Sequence, residues 1–195
     1  MSILIGKPEQ QGPGGGSQIV SILFGPIRQM GYVVHDIEAA MQHWTRALHV
    51  GPFYYAEGAP IHDFTYRGAS CDLRASIALT YSGNMQIALI QQENEAPSSF
   101  QEFLDAGRTG LHHVGFFSNN FDRDIHRARE AGLDIVQTSI IGDGDGKFAI
   151  LSSEDPGRTR PALIATNDSN VDLFRMVEKE AQRWDGSGPV RRFEY

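Results

Sequence analysis

The side chains best suited to chemistry in this 195-residue chain are two adjacent histidines, His112 and His113, and a glutamine, Gln29, that stands 84 residues before the second of them. Imidazole takes or gives a proton near neutrality, and a ring nitrogen or an amide oxygen can each donate a lone pair to a divalent ion. The plainer alternative for the histidines is that one ring packs beside a helix while the other hydrogen-bonds in a polar cavity without metal. Arg74 offers a forked donor for a carboxylate or enolate oxygen, or else a rim charge in solvent. His62 and Asp63 follow Pro60 in a stretch that reads as a solvated turn. His35, His43, His49 and His126 fall at helix borders or on polar helical faces and read as surface.

Two glycine-rich stretches mimic ligand loops. Gly12 to Ser17 lacks both the Gly-Lys-Ser/Thr of a phosphate loop and an apolar strand leading into it, so it reads as a flexible linker. Asp143 and Asp145 lack the third acidic ligand and the late glutamate of an EF-hand, so they read as a hairpin turn.

The elements that must position these residues repeat once. Ile27-Arg28-Gln29-Met30-Gly31-Tyr32-Val33-Val34 matches Leu111-His112-His113-Val114-Gly115-Phe116-Phe117-Ser118 at a shift of 84. Each copy reads as a strand, followed by a polar cap (Asp36 or Asn120) and an amphipathic helix. Ile37, Ala40, Met41, Trp44 and Leu48 line one helix, and Phe121, Ile125 and Ala128 line the other. Alternation puts Gln29, Gly31 and Val33 on one strand face and Met30, Tyr32 and Val34 on the face that needs helical cover; His113, Gly115 and Phe117 repeat the first set.

Extended segments follow each helix: Pro52 to Glu57, Phe64 to Arg67, Asp72 to Tyr81 and Met85 to Gln91, then Leu133 to Ile141, Lys147 to Leu151 and Arg160 to Ala165. In Asp72 to Tyr81, Arg74, Ser76 and Thr80 are expected to face the cavity, with Phe53, Tyr54, Tyr55 and Tyr66 adding aromatic surface nearby. The resulting organisation is an arm over 1–24, modules over 25–96 and 109–166, a connecting helix over 97–108 with Phe100, Phe103 and Leu104 inward, and a C-terminal helix and tail over 167–195.

Composition narrows the partners. Lysine and arginine number 17 against 24 aspartates and glutamates, a formal charge of −7, which disfavours nucleic acid and anionic membranes and leaves a small neutral or weakly charged ligand. The single cysteine, Cys71, cannot form an internal disulfide, and no apolar run has membrane-span length, so a cytoplasmic protein is expected. Phe174, Val177 and Trp184 on the last helix suggest apolar surface for a homodimer.

Two β-α-β-β-β units in tandem, with Arg28 to Val34, Gly110-Leu111-His112-His113-Val114-Gly115-Phe116 and Met85 to Gln91, resemble the vicinal oxygen chelate superfamily, the glyoxalase, bleomycin-resistance and extradiol-dioxygenase group. The tail from Trp184 to Arg191 is also similar to glyoxalase-like members. The resemblance implies an α+β fold of paired βαβββ modules, cupped mixed sheets around a central cavity and helices outside. It also implies a divalent metal held by one residue on the first and one on the last strand of each module. Gln29 and His113 fill the first-strand positions. Where family members commonly show Ile-Glu-Leu-Ile, this chain reads Ile87-Ala88-Leu89-Ile90 and Pro161-Ala162-Leu163-Ile164, so both carboxylates are alanine.

One amide and one imidazole carry no charge to offset a divalent ion. Gln86 shares a face with Ala88 but sits about 6–7 Å along the strand, more a ligand-binding group than a replacement metal ligand. Two readings follow. One is a glyoxalase-like lyase or isomerase with an atypical metal or none, with His113 as proton carrier and Arg74 or Gln29 steadying an oxyanion. The other is a non-catalytic protein of the bleomycin-resistance type that binds or sequesters a small aromatic or carbonyl-bearing molecule.

Overall fold

A computed structural model describes residues 23–193 apart from 143, 145, 153–158 and 167; the Gly12 to Ser17 stretch and the Asp143/Asp145 pair lie outside the described residues. In β1 (Ile27–Val33), Gln29, Gly31 and Val33 are buried on one face as the alternation requires. The helix α1 (Ile37–Ala47) starts where the Asp36 carboxylate accepts the Ala39 amide at 2.8 Å. Strands β2 (Phe53–Ala56), β3 (Ile61–Tyr66), β4 (Ala69–Ser70), β5 (Ala75–Ser82) and β6 (Met85–Gln92) follow. The connecting helix α2 (Ser99–Asp105) is capped by Ser98, whose hydroxyl accepts the Gln101 amide at 2.9 Å. The second copy runs through β7 (Gly110–Ser118), α3 (Phe121–Glu130), β8 (Asp134–Ile141), β9 (Lys147–Ser152) and β10 (Arg160–Ala165). Asn120 caps α3 by accepting the Arg123 amide at 3.1 Å, the counterpart of Asp36 at the same 84-residue shift. The chain ends in α4 (Asp168–Gln182) and β11 (Val190–Arg192).

In both modules the first strand pairs in parallel with the last, β1 with β6 and β7 with β10, and the modules join where β1 runs antiparallel to β7. The result is one 11-stranded sheet in the order β11-β2-β5-β6-β1-β7-β10-β9-β8-β3-β4. Its outer face carries α1 over Phe53, Tyr55, Ala78, Ile87 and Leu89, and α3 over Phe116, Ala149, Leu151 and Leu163. Its concave face gathers Val33, Leu73, Ala75, Ile90, Ile150, Ala162 and Ile164 into the central cluster, joined by Phe100 of α2 and by Phe174 of α4. So α1 and α3 take the outside position that the amphipathic pattern demands, while α2 and α4 cover the cup.

Two elements depart from the expected module. The segment around Phe64, read as part of the first module, pairs with β8 of the second, Thr65 opposite Thr138 with their hydroxyl oxygens 2.7 Å apart. Because β2 and β5 already pair with each other, the intervening hairpin crosses to the free edge of β8 and covers backbone groups that would otherwise lie open. At the opposite edge, β11 adds in parallel to β2, and Arg191 bonds Tyr54 at 3.0 Å and pairs with Glu180 of α4.

The apolar side of α4 is used within the chain. Val177 is fully buried, Phe174 stacks on Phe117 at 5.3 Å, and Trp184 fills the space beside Gly51. Val177 is thus enclosed by its own chain, while Phe174 and Trp184 pack against it and stay half-buried. Among the described residues no helix is long and apolar enough to cross a membrane.

Candidate functional site

The two sequence copies meet at their chemistry-bearing residues. Where β1 faces β7, Gln29 stands opposite Gly115 and Gly31 opposite His113, a reciprocal pair of large and absent side chains. A Cβ on Gly31 would fall 2.0 Å from His113 Cε1, and one on Gly115 would fall 2.9 Å from Gln29 Cβ, so each glycine clears the floor for the other copy's side chain. His113 Nε2 thereby reaches Gln29 Oε1 at 3.2 Å.

Strict alternation would point His112 away from His113. The ladder, however, passes from the pair Gly31 and His113 to the pair Tyr32 and Leu111, leaving His112 as one extra residue on β7. Such a bulge re-aims the side chain. The Nδ1 atoms of the two rings lie 3.1 Å apart, and His112 Nε2 reaches the Ser99 carbonyl at 3.1 Å. Phe100 and Phe103 of α2 meet the His112 ring edge-on at 5.3 and 5.2 Å. One ring thus does pack beside a helix, but in contact with its neighbour rather than across the sheet from it. No feature of the sequence marks the bulge.

On the other side, Gln29 Nε2 donates to Gln86 Oε1 at 2.6 Å, and Gln86 Nε2 donates to the Tyr81 hydroxyl at 3.1 Å. A continuous buried chain results: Tyr81, Gln86, Gln29, His113, His112 and the Ser99 carbonyl. Ser99 is in turn tied to Gln137, whose Oε1 accepts from the Ser99 amide and hydroxyl, both at 2.9 Å. Burial, with the Arg160 charge second, holds His112 down at about 4. Burial first, then His112, holds His113 well below the ordinary histidine value, and burial pushes the Tyr81 phenol up.

Ala88 stands beside Gly31 and Ala162 beside Gly115 in the parallel ladders, where they place methyl groups around the Gln29 and His113 pair. The neighbouring positions are Gln86, beside Gln29, and Arg160, beside His113. Arg160 is turned to Glu102 of α2 at 2.8 Å, which also holds Arg67 at 2.6 Å. Across Gln29, Ala88, His113 and Ala162 the only donors are thus one amide and one imidazole, already bonded to each other, and the amide also to Gln86. Among the described residues no three His, Cys, Asp or Glu side chains gather as a metal-holding group. This donor set does not fit a divalent cation, which needs three or four ligands and some negative charge.

The cup holds a cavity of about 370 Å³. Its wall includes Ile77, Leu79, Ala88, Phe100, Phe148 and Ile164 from the sheet and α2, with Leu173 and Phe174 from α4 and Phe193 beyond it. Gln29 is the member of the buried chain that lines this wall; His113 is 0% exposed and sits behind it, edge-on to Phe148 at 5.6 Å. Gln137 and Ser139 add polar groups at another part of the wall.

The sequence-based placement on β5 is reversed. Ala75, Ile77 and Leu79 line the cavity, whereas Ala78 packs under α1. Ser76 on that outer face bonds Glu93 and the Gly58 amide, and Arg74 is exposed outside the cavity. The reason is that α4 gives the concave side helical cover of its own, so the large apolar residues belong there and α1 needs only the small Ala78. The aromatic expectation shifts likewise: Phe53 and Tyr55 pack beneath α1, Tyr54 meets Phe193 at 5.4 Å, and the aromatic rings on the cavity wall are Phe100, Phe148, Phe174 and Phe193. His62 and Asp63 are exposed, as expected, although they lie in β3 rather than in a turn. His35, His43, His49 and His126 are all exposed.

Paired βαβββ modules closed into one cup, with the first strands meeting at its floor, define the class. The family model of the Glyoxalase/Bleomycin resistance protein/Dioxygenase superfamily matches residues 28–150, and the chain belongs to that superfamily. Among solved structures it is similar to a hypothetical protein from Bacillus halodurans at 15% identity and TM-score 0.54, covering 73% of this chain and 94% of that one. It is similar also to methylmalonyl-CoA epimerase from Mycobacterium tuberculosis at 15% identity and TM-score 0.53, covering 80% and 97%. At this identity the likeness is one of fold. No curated protein matches the chain.

Proposed function

We propose that the protein binds a small, largely apolar organic molecule in the cup and holds or sequesters it. The observation that carries this reading is the wall itself: a concave space of about 370 Å³ lined mainly by aliphatic and aromatic side chains, with Gln29 as a polar group on its floor. Arginine and lysine are missing from the described lining, so the cavity suits neither a carboxylate nor a phosphate-bearing substrate of the kind methylmalonyl-CoA epimerase is named for.

A lyase or isomerase reaction beside a carbonyl would need a proton carrier at the wall. His113 is spent on Gln29 and His112 behind that wall, and Arg74 lies outside it. The binding reading needs neither residue to move.

Titration with N-phenyl-1-naphthylamine, a neutral two-ring fluorophore that brightens in apolar surroundings, tests this. The expected result is a saturable rise at one probe per chain, lost in Ala88→Phe and in Leu173→Trp, which fill the cavity from opposite walls. Absence of saturable binding, or binding unchanged in both folded variants, overturns the proposal.

A further inference from the structure

Five hydrogen bonds in series link the Tyr81 hydroxyl to the Ser99 carbonyl, and counting their hydrogens fixes the state of every group between. A carbonyl oxygen only accepts, so His112 Nε2 carries a hydrogen. With Gln29 Oε1 toward His113, His113 Nε2 carries one as well, and the contact between the two Nδ1 atoms needs a third. Three hydrogens on two rings make one of them a cation.

Among the described residues, nothing around the rings receives such a cation. His113 is enclosed by Gln29, His112 and Phe148, and no described carboxylate acts on it. The charged groups near His112 are Arg160, Arg108 and Glu102, and Glu102 is already bonded to Arg67 and Arg160. A buried positive charge left without a partner is strongly disfavoured.

Turning both glutamine amides over about Cγ–Cδ exchanges oxygen for nitrogen at the same positions, since the two ends of an amide have the same shape. Every bond then has a single hydrogen and both rings are neutral. Tyr81 donates to Gln86, Gln86 to Gln29, Gln29 to His113 Nε2, His113 Nδ1 to His112 Nδ1, and His112 Nε2 to Ser99.

We propose that His112 is a positioning residue for the cavity wall: anchored on Ser99, it fixes His113 as the Nδ1–H tautomer, which fixes Gln29 with its nitrogen toward His113 and its oxygen toward Gln86. Gln29 then keeps one free N–H on the His113 side and one free lone pair on the Gln86 side. Resting on the reading of the cavity as a binding site, this sets where an apolar occupant's polar group would sit: an acceptor such as a carbonyl or ether oxygen on the His113 side, a donor such as a hydroxyl on the Gln86 side.

The tautomers can be read without any ligand, so this inference and the binding proposal can fail separately. Long-range proton–nitrogen correlation spectra of the ¹⁵N-labelled protein at neutral pH are expected to show His113 protonated on Nδ1 and His112 on Nε2, with coupling across the Nδ1 pair. His113 protonated on Nε2, or either ring cationic, overturns the proposal. His112→Gln, which can still accept from His113 and donate to Ser99, is expected to keep the His113 tautomer. His112→Phe, which can do neither, is expected to lose it to a mixture; retention of the pure Nδ1–H form in that variant would equally contradict the positioning role. Should His112→Phe fail to fold, the parent spectrum decides alone.

Discussion

Gln29 and His113 are 84 residues apart in the chain and 3.2 Å apart at the floor of the cup, each standing over a glycine of the other's strand. The same shift that aligns the two copies in sequence is the spacing of this hydrogen bond. A duplicated module that dimerises through its first strand brings equivalent positions together about a local two-fold axis, and here the axis passes between an amide and an imidazole.

Gly31→Ala tests that arrangement. The new methyl would fall 2.0 Å from His113 Cε1, and the ring has no free space because His112 and Phe148 hold it from other sides. We expect a loss of about 2–3 kcal/mol, within the usual range for overpacking, or about 5–10 °C in Tm for a chain of this size. Denaturant unfolding measures it; a change below about 0.5 kcal/mol, the level of an ordinary surface substitution, would mean the ring does not lie over Gly31.

The histidine pair predicts a pH dependence with a definite sign. In the unfolded chain a histidine takes up a proton near 6.5, whereas burial holds folded His112 at about 4 and His113 well below its ordinary value. Between those limits the unfolded state binds more protons, so stability is greatest above about pH 6.5 and falls as pH drops toward 4. The His112 share is about 3 kcal/mol at the bottom of the window, from the general worth of a pKa displacement. Unfolding free energies of the parent and of His112→Gln across pH 4–8 check this, and the variant is expected to have the flatter profile.

Placing two carboxylates beside Gln29 and His113 should create a metal site. Ala88→Glu with Ala162→Glu adds two acidic side chains to Gln29 and His113, a set that neutralises a divalent ion and reaches four ligands. We expect zinc or nickel to raise the Tm of the double variant sharply and that of the parent little. Without metal the variant should be less stable than the parent, because two carboxylates would share a buried, apolar site. A parent that already binds one equivalent tightly through Gln29 and His113 would overturn our reading of the donor set.

Much of the fold is legible in the sequence because it rests on periodicities that tertiary structure has no reason to override. The strand, cap and helix of each copy, and the inward faces of Gln29 and His113, follow from alternation and from Asp36 and Asn120 at cap positions. The site is legible only in part. The alanines at 88 and 162 are plain in the sequence, but not that Gln29 turns to Gln86. His112 is misplaced by alternation because a one-residue bulge leaves no mark in residue type. The faces of β5 invert because covering both sides with helices makes both apolar, and only the long-range packing of α4 decides which side takes the larger residues.

Whether an apolar molecule occupies the cup above Gln29 is decided by isotope-filtered NOE spectra of the protein saturated with N-phenyl-1-naphthylamine. Contacts are expected between the probe's ring protons and the methyl groups of Ile77, Leu79, Ala88 and Ile164, all lost in Ala88→Phe. Probe contacts confined to exposed groups such as Leu48 or Val190, with the cavity methyls unshifted, would contradict it.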